Sequence, residues 1–286
     1  LPVAFAVTDA AATPAKTFIP GRKIDVAPGY LSLLDPNPAV VSPIEAAPDS
    51  TGRRSTLARW LTTAENPLTS RVAVNRIWLG HFGTGLVATA SDFGRLGEKP
   101  SHPELLDWLT SYFVEQGWSL KTMHRLICRS ATYRQSASHP DEKTATKLDP
   151  QNRLRWRFDI HRLQAEQIRD AMLAASGELD LKSGGPSVDA KAPRRSIFSK
   201  IIRNDPDPLL SSFDAADGFN STVNRSVTTT PTQALLMING DWMLARSTAL
   251  AKRVDSLAGA MKNGEASERA ATAAWQIVYG RSPSET

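Results

Sequence analysis

The sequence predicts a mainly α protein, an irregular multi-helix domain with short extended insertions, entered through a proline-rich extended segment. Three observations predict it. Apolar residues recur at helical spacing from Gly52 onward, first as Leu57, Trp60 and Leu61. Helix punctuation brackets the periodic runs, with Asn66-Pro67, Ser101 and Glu104, and Thr230 and Gln233 at starts, and Gly83, Gly117, Gly177 and Gly240 at ends. Prolines 2, 14, 20, 28, 36, 38, 43 and 48 each remove a backbone donor from the opening segment and disfavour helix there. Residues 1–50 are therefore read as an extended connector and 51–286 as the helical domain.

Within the connector, LPVAFAV and KTFI suit short edge strands, and the remainder runs along another domain's surface. The first helix must stop before Asn66-Pro67. Asn66 then caps a second helix that carries Leu68, Val72 and Leu79 on one face and Arg71, Asn75, Trp78 and Phe82 on the next. Ser101 and Glu104 form a capping box for a third helix with Leu105, Trp108, Leu109, Tyr112 and Phe113. Ser119 restarts a fourth through Leu120, Met123 and Ile127, and so short a joint predicts an antiparallel pair. Residues 136–151 show no periodicity and read as a mobile connector.

Further on, Leu163 to Ser176 forms a helix whose apolar side is Ile168, Ala171, Met172 and Ala175. RRSIFSKII suits a strand or an extended crossing. Thr230 and Gln233 make a second capping box, Asp241 caps the helix after Gly240, and an Ala-rich helix runs from about Ala266 to Tyr279.

The chain has 286 residues, 41% hydrophobic and 22% charged, enough for a core without disulfides or metal. No run approaches the roughly 20 apolar residues of a membrane helix. The formal net charge of +5 is spread in ones and twos, which weighs against nucleic acid as a partner. Cys128 is the one cysteine, so an internal disulfide is impossible, and it reads as a small buried hydrophobe beside Met123, Leu126 and Ile127. His81, His102, His124, His139 and His161 lie about twenty residues apart, with no pair at metal-ligand spacing, so no metal site is expected. Phosphate-binding, dinucleotide and serine-hydrolase signatures are missing, and one cysteine excludes the C-x-x-C-H haem attachment within this chain.

Four long segments carry a family resemblance. They are NPLTSRVAVNRIWLGHFGTGLV, DFGRLGEKPSHPELLDWLTSYFVEQGWSLKTMHRLICRSATYRQSA, DPQNRLRWRFDIHRLQAEQIRDAMLAASGELD and NRSVTTTPTQALLMING. In this order they resemble the DUF1553 domain, planctomycete-specific domain 1, from about Arg53 onward. The resemblance implies an extracytoplasmic bacterial protein in which DUF1549 and cytochrome c domains precede this one, and it brings no catalytic residues with it. Any haem would lie in such an upstream domain, not in this chain. Pro20 stands where relatives tend to carry an arginine, and YGRSPSET resembles the start of the family's last helix-turn-helix, which implies that the family pattern runs past the last residue.

The densest polar constellation is Arg162, Glu166, Arg169 and Asp170, four side chains on one helical face. A carboxylate there raised in pKa by its neighbour would serve as acid or base. Flanking guanidiniums act in the other direction, so the cluster reads first as an ion network that fixes how its helix packs on the Asn75 helix. Arg71, Asn75, Arg76 and Trp78, with Arg225, are candidate binding residues, planar donors beside a stacking surface that suit a sugar or a carboxylate. Asp92, His102, Asp170 and Asp214 are the catalytic candidates. Taken together, the leading expectation is an accessory or binding module of a secreted multidomain protein that docks a neighbouring domain or a carbohydrate. The alternative is a polysaccharide-processing or redox enzyme working with the upstream domains.

Overall fold

The computed structural model describes residues 8–284 except 12, 23, 43, 45–48, 220, 221, 223, 262 and 263. Among the described residues are eleven α-helices, one 3₁₀ turn and one two-stranded ribbon, a mainly α fold. Among the described residues no helix is long and apolar enough to cross a membrane. The chain forms two compact units, Leu1–Ile160 and His161–Thr286.

In the first unit β1 (Thr17–Phe18) pairs antiparallel with β2 (Asp25–Val26), Thr17 opposite Val26. KTFI thus supplies a two-residue strand, and LPVAFAV lies outside the described residues. The Asp9 carboxylate ties the connector to the start of α1 (Arg53–Leu61). It accepts from the Thr51 backbone N–H at 2.6 Å and from Ser50 and Thr51 hydroxyls, and it pairs with Arg54 at 3.1 Å. Leu57 and Leu61 of α1 stay half exposed while Thr56 is buried, and Trp60 stacks on Tyr30, ring centroids 4.7 Å apart.

Helix α2 (Thr69–Phe82) starts two residues later than expected, with Leu68 and not Asn66 at the N-cap position, and the Asn66 Oδ1 accepts from the Leu68 and Thr69 amides in the turn that leads into it. Its buried face differs from the one expected. Val74, Asn75, Trp78 and Phe82 point inward, and Leu68 stays exposed. The reason is that α3 (Pro103–Glu115) and α4 (Leu120–Arg129) both pack on α2. Ser101 does not build the expected capping box. Its amide and hydroxyl donate to the Leu86 carbonyl, His102 takes the N-cap position, and Pro103 opens α3.

The α3–α4 joint holds Gly117 and Trp118 at φ of 64° and 60°, and the Trp118 ring lies edge-on to Phe113 at 5.2 Å. Both α3 and α4 pack on α2, and little on each other. Residues 136–151 are built and not a bare connector. Asp141 caps α6 (Glu142–Leu148), which follows the short α5 (Ala131–Arg134), and Asp149 accepts from the amides of Arg153 and Leu154. The core of this unit is Val74, Trp78, Phe82, Leu86, Val87, Leu106, Leu109, Phe113, Met123 and Ile127.

The second unit contains α7 (Ala165–Ser176), a 3₁₀ turn (Ser196–Phe198), α8 (Pro208–Ser212), α9 (Pro231–Asn239), α10 (Asp241–Ala260) and α11 (Ala266–Tyr279). Helix α10 packs on α7, α9 and α11. The buried face of α7 is Ala165, Arg169, Leu173 and Ser176, rotated from the apolar side read in the sequence because Arg169 points inward. RRSIFSKII becomes the 3₁₀ turn, flanked by single bridges Asp180 to Arg194 and Val188 to Ser199. The Thr230 and Gln233 capping box forms reciprocally. Asp241 is not a cap but the first helical residue, where its charge suits the positive end of α10.

Candidate functional site

A groove of about 660 Å³ opens between α3 and α4. Leu105, Trp108, Leu109, Tyr112 and Gln116 come from α3 and the residue after it, spaced as one helical stripe. Thr122, Arg125, Leu126 and Arg129 form the matching stripe on α4. Trp78 of α2, Ile127, Ser130 and Thr132 complete the lining. The groove exists because α3 is apolar on two faces. Leu106, Leu109 and Phe113 fill the core, leaving Trp108 53% exposed and stacked on Tyr112 with centroids 5.4 Å apart and rings 15° from parallel.

The two walls differ in chemistry. The α3 wall is an aromatic platform, and the α4 wall carries two exposed guanidiniums. No carboxylate lines the groove. Trp78 is only 7% exposed, and its indole Nε1 is buried without a hydrogen-bond acceptor. A buried, unmet donor of this kind costs about 1–3 kcal/mol.

The other expected binding residues serve the scaffold or stand apart. Asn75 is fully buried, donating from Nδ2 to the Val87 carbonyl and accepting from the Val87 amide on Oδ1, both at 2.9 Å. This pairing holds the loop after α2 as a strand partner would. Gly85 lies against it, and a Cβ there would meet the Val87 carbonyl at 2.5 Å. Arg71 donates from Nε and Nη2 to Asp107 Oδ1 at 2.9 and 2.7 Å and from Nη1 to the Pro67 carbonyl, tying α2 to α3. Arg76 is exposed.

In the second unit Glu166 and Asp170 line a cleft of about 590 Å³ with Arg195, Ser196 and Ser199. Guanidiniums accompany both carboxylates. Arg225 donates to Glu166 Oε2 at 2.5 Å, Arg169 Nη1 lies 3.5 Å from Asp170 Oδ1, and Arg195 Nε lies 3.7 Å from Asp170 Oδ2. Arg162 does not face Glu166. It donates to the Thr228 carbonyl and to Gln233 Oε1, with its guanidinium over the Phe213 ring. Arg169 is 1% exposed and gathers the carbonyls of Ala190, Ala192 and Arg194 and the Ser196 hydroxyl. Burial pushes its pKa down, and Asp170 and Asp207 oppose that shift. It therefore binds the 190–196 segment to α7, whose packing partners in its own unit are α10, α8 and the 3₁₀ turn.

The catalytic candidates each have local partners. Asp92 accepts from the Gly94 amide in a turn, and His102 Nδ1 lies 3.0 Å from the Ser101 hydroxyl. Asp170 accepts from the amide and hydroxyl of Ser196 at 2.8 and 2.7 Å. Asp214, at φ 63°, accepts from the Thr228 amide and hydroxyl, and the amide bond is the first cause of its lowered pKa.

Folding also joins two histidines that the sequence keeps apart. His81 Nε2 and His124 Nδ1 are 2.8 Å apart, and Cys128 Sγ lies 4.0 Å from His81 Nδ1. Cys128 is exposed, contrary to expectation, because one step beyond the buried Ile127 turns it about 100° away from the core. Among the described residues no group of three histidine, cysteine or acidic side chains is placed to hold a metal ion.

A family model, PSD1, described as a protein of unknown function (DUF1553), matches residues 53–286. No curated protein and no solved structure matches the chain.

Proposed function

The chain belongs to the PSD1 (DUF1553) family, and from that premise, which brings no reaction with it, we propose an accessory carbohydrate-binding module. On this reading it works in an extracytoplasmic multidomain protein, beside DUF1549 or cytochrome c domains of the same polypeptide. One observation carries the binding role. Trp108, half exposed, and Tyr112, partly exposed, form a stacked aromatic surface along the groove. A pyranose ring has apolar C–H faces that lie on an aromatic surface, and its hydroxyls suit the polar side chains Gln116 and Thr122 of the same lining. The catalytic alternative has less support, because Asp92, His102, Asp170 and Asp214 each accept from or contact a neighbouring backbone or hydroxyl group.

Affinity electrophoresis of the full chain through gels containing xylan, laminarin or alginate tests the reading. At least one polysaccharide is expected to retard the chain, and Trp108→Ala is expected to remove the retardation while leaving the unfolding midpoint unchanged within about 0.5 kcal/mol, as suits an exposed side chain. Unretarded migration in every gel, or equal retardation of the variant, contradicts the proposal.

A further inference from the structure

We infer that the groove selects an anionic glycan, one bearing carboxylate or sulfate groups, with Arg125 and Arg129 as the charge-reading residues. The inference rests on the carbohydrate reading above and adds a substrate class to it. Arg125 and Arg129 are four residues apart on α4, so they share a face one helical turn apart, a rise of about 6 Å. Both line the groove and both are exposed.

Among the described residues neither guanidinium is engaged by a carboxylate, as also holds for Arg22, Arg53, Arg59, Arg76, Arg95 and Arg134, but these two are the arginines that line the groove, while five others of this unit are paired. Arg54 pairs with Asp9, Arg71 with Asp107, Arg153 with Glu98, Arg155 with Asp159 and Arg157 with Glu142. The lining itself contains two guanidiniums and no acid, so its charge is uncompensated. A neutral ligand would leave that charge unused, whereas planar forks suit carboxylate and sulfate oxygens bidentately. Division of labour follows from the two walls. Trp108 and Tyr112 hold a ring face, while Arg125 and Arg129 read charges on consecutive positions along the chain of the ligand. Gln116 and Thr122 stand between them as neutral polar contacts.

Titration calorimetry of the full chain with oligomers of alginate, carrageenan and xylan, at low and high salt, tests this. Alginate covers the carboxylate source, carrageenan the sulfate source and xylan the neutral control. The expected result is binding to at least one acidic oligomer about tenfold or more tighter than to xylan, weakened by salt as screening requires. Arg125→Gln with Arg129→Gln is expected to remove that preference, a loss of about tenfold or more, while residual Trp108-dependent binding to xylan survives. Equal affinity for xylan and the acidic oligomers, unchanged by the double variant, overturns the anionic inference and leaves the carbohydrate reading standing. Failure of all three oligomers to bind overturns both. Polyglutamate included as a peptide polyanion is expected to bind weakly and without dependence on Trp108. If it instead binds as tightly as the acidic oligomers and with the same Trp108 dependence, the groove reads an acidic peptide and the inference falls.

Discussion

The two units are held together by different chemistry. The first closes around ten buried apolar side chains, with the aromatic rings of Trp78, Phe82 and Phe113 at its centre. The second has a smaller buried apolar cluster, Ala165, Leu210, Phe213 and Met243, with Leu173, Val254, Ala258 and Ala273 buried outside it, and beside it a fully enclosed arginine. What the second unit lacks in oil it replaces with guanidinium-to-carbonyl bonds. Arg169 collects three carbonyls, Arg194 donates to those of Lys182 and Gly184, and Arg253 closes the end of α7 through Ala174 and Ala175. The difference teaches that segments with little regular structure, such as 180–200, are fixed by satisfying their carbonyls, and that a planar five-donor side chain does this for several at once.

Removing Arg169 gives the largest expected effect on that contrast. Arg169→Met keeps volume but strands three carbonyls, and chemical denaturation is expected to show a loss of about 3 kcal/mol or more from the second unit. A change under about 1 kcal/mol would mean that the apolar cluster suffices. Asn75→Ala comes next. It leaves the Val87 amide and carbonyl unpaired inside an otherwise apolar core, and a loss of about 2–3 kcal/mol is expected by the same measurement. An equal loss in both variants would blur the contrast, since the largest buried apolar cluster has ten members in the first unit and four in the second.

The smallest effect is a pH dependence at the α2–α4 contact. Burial, then the neighbouring His124, lowers the His81 pKa below its ordinary 6.5. A base with a lowered folded pKa takes up its proton more readily when unfolded. Its stabilising contribution is complete above pH 6.5 and is lost as pH falls below that value. Denaturant midpoints recorded at pH 7.5 and pH 5.5 are expected to drop on acidification, and His81→Gln is expected to flatten the difference. A midpoint that rises on acidification contradicts the assignment.

Much of the first unit was legible from periodicity and punctuation. The turn held by Asn66 ahead of α2, the stop at Gly83 and the Met123 and Ile127 face of α4 all follow from local rules, as does the reciprocal Thr230 and Gln233 cap in the second unit. The failures share one cause. On α2 and α7 an inward polar residue, Asn75 or Arg169, rotates the buried face away from the apolar residues that the pattern ranks first. Hydrophobic periodicity cannot see a polar group whose partners are backbone atoms dozens of residues away, such as Ala190 and Arg194 for Arg169. Ser101 failed for the same reason, its partner being the Leu86 carbonyl and not its own helix.

The groove was half legible. Trp78 was singled out, and the run Leu105, Trp108, Leu109, Tyr112 and Phe113 is visibly too apolar for one buried face of a thirteen-residue helix. That surplus was the available signal for Trp108 and Tyr112. Arg125 and Arg129 carried none, because an unpaired surface arginine looks like any other until its neighbours are placed. The His81 and His124 contact likewise depends on α4 crossing α2, which no spacing within either helix encodes.

The central claim is that an enclosed guanidinium, not apolar burial, holds the 190–199 segment on α7. Residue-resolved hydrogen exchange on Arg169→Met beside the unaltered chain measures this most directly. The account predicts that amides bonded in this region, Asp180, Val188, Ser196 and Lys200, lose protection while those of α2 keep theirs. Unchanged protection at these four amides would contradict it.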